Sequence, residues 1–192
     1  MYRLSRSKLT WIAGIIVAAF LLTAPYVVPL ILNPFWLSVL TEILIWSIFT
    51  AGINLLFGYT GLLSFGQATF FGMGAYGVTL GITLLGLSFW PAFLFGLLVS
   101  VLTAAIIGIV AVRLTWAYFA IITVVFSLIF YLVAVGWKDL TMGDDGISFT
   151  PPPVFKFGGI ELTVLDLTFQ YYFILAVFAI SYFLLWLVLK SP

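Results

Sequence analysis

The chain is 192 residues long, 65% hydrophobic and only 7% charged, whereas a water-soluble domain of this size carries roughly 25% charged residues. Seven Lys and Arg against six Asp and Glu leave a net charge of +1, which excludes the basic field that holds nucleic acid. With no Cys and no His, disulfides, thiolate nucleophiles, imidazole bases and the commonest zinc sites are excluded, and too few polar groups remain to cover a surface in water.

Composition therefore predicts an all-α, polytopic bundle of transmembrane helices forming a single membrane domain over residues 1–192. A crossing helix needs about 20 mostly apolar residues, and about six such runs fit. The first covers about Leu9 to Leu32, after Arg3, Arg6 and Lys8, with Pro25 and Pro29 near its far end. A secretory signal peptide shares that basic start, but this run is longer than a signal core and Leu22-Thr23-Ala24 is not a small-x-small cleavage site. The second covers about Phe35 to Phe57, between the Asn33-Pro34 turn and Gly58. The third is about Ala68 to Leu85. After Gly86-Leu87-Ser88 the fourth covers about Phe89 to Val112, with Pro91 in its first turn, where a missing N–H does no harm. The fifth is about Leu114 to Val135 and the sixth about Leu167 to Leu189.

Lys and Arg are retained on the cytoplasmic side of short loops. A cytoplasmic N-terminus places Arg3, Arg6, Lys8, Arg113 and Lys190 inside and only Lys138 and Lys156 outside, five against two. Trp11, Trp36, Trp90, Trp137 and Trp186 fall near span ends, as in an aromatic belt. The one long hydrophilic stretch, residues 136–166, is then an extracytoplasmic loop. In it Asp144-Asp145-Gly146 lacks the alternating ligands and later Glu of an EF-hand and reads as a turn. Past Pro151-Pro152-Pro153, the stretch Val154 to Val164 reads as a small hairpin turning at Gly158-Gly159.

The most unusual segment is Gly58-Tyr59-Thr60-Gly61-Leu62-Leu63-Ser64-Phe65-Gly66-Gln67. Residues 58–77 hold six of the chain's 17 glycines, where an even spread puts about two. Two readings stay open: a tight turn at the cytoplasmic face, or a break at membrane depth, which is tolerated only where protein or a wet cavity satisfies the backbone. In the second reading Asn54, Gly58, Thr60, Gly61, Ser64, Gly66 and Gln67 line a solute pathway. The stripe Thr69, Gly72, Tyr76, Thr79 and Thr83 continues it, although Thr can also bond back within its own helix. Ser47, Ala51, Asn54 and Gly58 share a face expected to meet other helices, where Asn54 would serve as interhelical glue. Gly66, Gly74, Gly77 and Gly81, and separately Ser100, Ala104 and Gly108, read as close-packing stripes. Glu42 is the one clear acid within a span; without a His or basic neighbour it reads as structural rather than as a proton relay. No catalytic constellation, metal site or cofactor motif is present in the sequence.

The run Asn54 to Ala68, continuing through Phe71-Gly72-Met73-Gly74-Ala75-Tyr76, resembles the signature of permease subunits of branched-chain amino acid ABC transporters. Arg113-Leu114 with Tyr118-Phe119-Ala120-Ile121-Ile122-Thr123, and Leu140-Thr141 with Asp145-Gly146-Ile147, extend the likeness from about residue 36 to the end. The resemblance implies an importer of leucine, isoleucine or valine. Its other parts would be a second permease subunit, cytoplasmic ATP-binding subunits that carry the hydrolysis, and an extracytoplasmic solute-binding protein. This chain would be no enzyme. Relatives that carry urea or short amides remain an alternative, as does a self-sufficient secondary carrier or channel. Many members place His where this chain has Gln67, an amide that hydrogen-bonds but does not titrate. Members also continue past the position of Lys190-Ser191-Pro192, so the resemblance implies that the permease domain is incomplete at the C-terminus.

Overall fold

The computed structural model describes residues 6–114, 116–157 and 160–190. The long helices are α1 (Arg6–Ile31), α2 (Phe35–Asn54), α3 (Gln67–Thr83), α4 (Phe89–Ala111), α5 (Trp116–Gly136) and α7 (Leu167–Lys190), with a one-turn α6 (Lys138–Thr141). Two short strands, β1 (Phe155–Phe157) and β2 (Ile160–Leu162), pair antiparallel, with Phe155 opposite Leu162 and Lys156 opposite Glu161. That is the expected hairpin; its Gly158-Gly159 turn lies outside the described residues, as do Arg3, Ser191 and Pro192. Five of the helices are long and apolar enough to cross a membrane, and their outer faces demand one. Along α4 the side chains of Leu94, Leu98, Val101, Ile106 and Ile109 are all more than half exposed, an apolar surface that water does not tolerate. This is an integral membrane protein.

The predicted third span forms a helix, α3, but a short one: 17 residues, about 25 Å at 1.5 Å per residue, against a core of ~30 Å. The predicted second span also ends differently. α2 stops at Asn54 and continues as a π-helical turn, Leu55–Tyr59, so that Gly58 lies within the turn and does not bound the helix.

The chain divides into two compact units, Met1–Ile48 with Leu165–Pro192, and Phe49–Val164. In the first, Ala24 and Val28 of α1, Leu37 and Leu44 of α2 and Tyr171 of α7 form the core. Pro25 has no N–H to give the Leu21 carbonyl four residues back. The Tyr171 hydroxyl, on a fully buried side chain, donates to that carbonyl at 2.8 Å, and Tyr172 donates to Leu22 O at 2.9 Å. A hydrogen bond lost to proline is thus replaced from a neighbouring helix, as lipid requires.

In the second unit α3 and α4 run antiparallel in close contact. A Cβ on Gly77 would fall 2.7 Å from Gly96 Cα, and one on Gly96 would fall 2.6 Å from Gly74 O. Gly81 lies against Ala92 and Phe95. Of the expected stripe Gly66, Gly74, Gly77 and Gly81, the first lies against Thr123 of α5, and the last three are the seam. The other expected ridge is not: Ser100 packs, but a Cβ on Gly108 would meet nothing within 4 Å. The buried face of α4 is instead Phe89, Ala92, Gly96, Thr103, Ile107 and Ala111. The unit's second core joins Ile107, Ala111 and Phe119, with Leu62, Phe70 and Leu114 against them.

Candidate functional site: a re-entrant break between helices

The Gly-rich segment begins where α2 widens into its π turn. Asn54 Oδ1 sits beside Gly58 so closely that a Cβ there would come within 2.8 Å of it. The Leu56 carbonyl accepts from the Thr60 backbone N–H, from the Thr60 hydroxyl and from Leu62 N. Gly61 then turns the chain at φ +71°, a conformation that favours glycine. From there to Gly66 the backbone is irregular, and α3 starts at Gln67.

Three neighbours report the depth of that start. Gln67 Oε1 faces Gly52, seven residues before the π turn ends at Tyr59. Gly66 lies against Thr123, seven residues into α5. The Ser100 hydroxyl donates to Phe70 O at 2.9 Å, which sets Gly66 near residue 104, seven short of the end of α4. At about 1.5 Å per residue all three give about 10 Å from the nearby helix ends. Residues 58–61 turn at the helix ends, and residues 62–66 run back alongside the neighbouring helices to the start of α3.

At that level the side chains are polar. The Thr69 hydroxyl donates to Ser127 Oγ at 2.8 Å, and Ser127 donates to Thr123 O at 2.9 Å. Thr123 Oγ1 accepts Phe65 N–H at 3.2 Å, and Gly66 N–H is held by Ser64 Oγ at 3.2 Å. Gly66 is buried, and a Cβ on it would press Thr123 Cβ at 3.2 Å. Gln67 Nε2 is buried without a hydrogen-bond partner among the described residues, a donor whose desolvation is not repaid by them.

The residues singled out by the sequence fall in three places. Ser64, Gly66, Gln67 and Thr69 form the inner layer with Thr123 and Ser127. Asn54, Gly58, Thr60 and Gly61 are exposed at the turn, so Asn54 is not glue between helices in this chain. Tyr76 lies farther along α3, beside a cavity shared with Thr79, Ala75 and Ile147. Thr69 bonds across to α5 and does not bond back, whereas Thr83 bonds back to Thr79 O at 2.9 Å. Ser127 escaped the sequence reading because it sits alone in an apolar run; only its spacing of four from Thr123 marks it. Glu42 is exposed on α2. Among the described residues no group of three acidic side chains is placed to hold a metal ion. The layer offers hydroxyls and an amide, groups that hydrogen-bond a solute without exchanging protons with it.

The family model for the branched-chain amino acid transport system permease component matches residues 35–192. The chain belongs to this permease family. Among curated members, the high-affinity branched-chain amino acid transport system permease protein LivM of Salmonella typhimurium is 33% identical over 116 residues, and LivM of Escherichia coli is 31% identical over 116. Each alignment covers 60% of this chain and 27% of the relative. The chain thus matches about a quarter of the length of these permeases. No solved structure matches it. Both the re-entrant break and the layer across α5 fall within the matched permease region.

Proposed function

We propose that the chain forms part of the membrane-spanning subunit of an ABC importer and that solute passes along the break at Gly66. The matched family supports transport. The observation that carries the pathway is backbone without regular structure, about 10 Å inside the helix ends, lined by Ser64, Gln67, Thr69, Thr123 and Ser127. Irregular backbone at such depth is characteristic of transporter sites. The LivM proteins are named for branched-chain amino acids, and that solute class is the reading adopted here.

In this proposal ATP hydrolysis resides on separate cytoplasmic ATP-binding subunits, a second permease subunit completes the pathway, and an extracytoplasmic solute-binding protein delivers the solute. The N-terminus is cytoplasmic. α3 runs antiparallel to α4 and parallel to α5, so despite its length it preserves the alternation on which the charge count rests. Conformational switching follows from partners that bind one state better than the other.

The test is uptake of radiolabelled leucine by the assembled transporter. Gly66→Leu drives a side chain into Thr123, and Gly61→Leu strains a positive-φ turn. Both variants are expected to abolish uptake at unchanged membrane abundance. Normal uptake by both removes the break from the pathway.

A further inference from the structure

On α3, Thr69, Gly72, Tyr76 and Thr79 share one face at spacings of three and four. Thr69 belongs to the inner layer, and beside Gly72 a Cβ would meet nothing within 4 Å. Seven residues beyond Thr69, about 10 Å along the helix, lies an open-mouthed pocket of about 180 Å³ lined by Ala75, Tyr76, Thr79 and Ile147. A cavity of ~150 Å³ accommodates benzene, so this one has room for a small aliphatic solute. Among the described residues no acid or base lines it apart from the phenol of Tyr76, which disfavours a solute of net charge.

The fourth wall comes from the loop after α5, and that loop is anchored. The buried Thr141 hydroxyl contacts the Ala134 and Trp137 carbonyls at the end of α5 and accepts Gly143 N–H at 3.3 Å. Met142, Gly143 and Gly146 all have positive φ, at 61°, 62° and 67°. For Met142 that conformation is uncommon and persists only where the surroundings enforce it. Gly146, with ψ 167°, occupies a region essentially closed to other residues and delivers Ile147 to the cavity.

We propose that this cavity is a second solute station on the pathway, specific for an aliphatic amino acid zwitterion. The Tyr76 and Thr79 hydroxyls hydrogen-bond the polar end, and Ala75 and Ile147 flank the side chain. This rests on the permease reading and adds where selectivity is exerted: Ile147 sets the size of side chain admitted. Urea has no apolar part to fill the aliphatic half, and lysine brings a charge with no partner there.

The chain contains no Cys, so Ile147→Cys introduces the one thiol on this polypeptide. The assembled transporter, purified into lipid nanodiscs where both faces are accessible, is treated with a maleimide, and labelling of this chain is timed. Millimolar leucine is expected to slow labelling several-fold, and millimolar urea or lysine to leave it unchanged. Ala75→Cys gives the same readout should Ile147→Cys fail to assemble. Labelling indifferent to leucine at both positions, while the native transporter still takes up leucine, overturns the station and leaves the permease reading standing. Protection by urea but not leucine overturns the specificity, and native transporter without leucine uptake overturns both readings.

Discussion

Gly96→Ala is the sharpest perturbation the fold offers. The new Cβ would lie 2.6 Å from Gly74 O, 2.9 Å from Val78 N and 2.5 Å from Val78 Cγ2. Carbon and oxygen in close helix contact ordinarily approach no nearer than about 3.3 Å, so α3 and α4 must part by roughly 0.7 Å. A gap of that order forfeits a quarter to a half of each dispersion contact it opens. Two of the three obstacles are backbone, so rotamer changes cannot relieve them, and the cost belongs at the upper end of the ~1–3 kcal/mol of overpacking. Gly108→Ala, on the same helix, is the matched control. Its Cβ enters open space, and the helix-propensity gain of Ala over Gly, measured in water, is up to about 1 kcal/mol. The two Gly→Ala changes should therefore differ by ~2–4 kcal/mol in reversible unfolding from mixed micelles, followed by circular dichroism. Adding Val78→Ala to Gly96→Ala should restore only part of the loss, because Gly74 O remains in the way. Equal stability of the two single variants would refute the close-packed seam.

Tyr171→Phe leaves the Leu21 carbonyl without its donor and should cost about 1–3 kcal/mol in the same unfolding measurement, whereas Tyr182→Phe, whose contact to Ser47 O is 3.4 Å, should cost little. Ser127→Ala removes the acceptor of the Thr69 hydroxyl and is expected to lower leucine uptake with abundance intact; Ser127→Thr, which keeps the hydroxyl, should retain more. Lys156→Ala breaks an ion pair to Glu161 whose side chains are both more than half exposed, so stability should change by less than about 1 kcal/mol.

Helix positions were legible because apolar runs separated by charges or glycines leave few ways to divide the chain, and α4, α5 and α7 begin or end within a residue or two of the expected places. The Gly77–Gly81 spacing also named its own seam, since glycine in an apolar helix has little reason to be there except close approach. The buried face of α4 was not legible. α4 is apolar on every side, so no polar face points away from the core, and the ridge read at Ser100, Ala104 and Gly108 meets open space at Gly108. The inner layer was half legible. Glycines and polar residues at 58–67 marked the break, but its depth is set by Gly52, Ser100 and Thr123, from three separate helices. Local pattern carries no record of such levels. Nor does it show that the Leu21 carbonyl, left without a donor by Pro25, finds one 150 residues away in sequence.

That last pairing has a mechanical consequence. Two phenol groups on consecutive residues of α7 grip consecutive carbonyls of α1, so neither helix can slip lengthwise past the other without stranding a dipole in oil. α1 and α7 are thereby tied into a single strut.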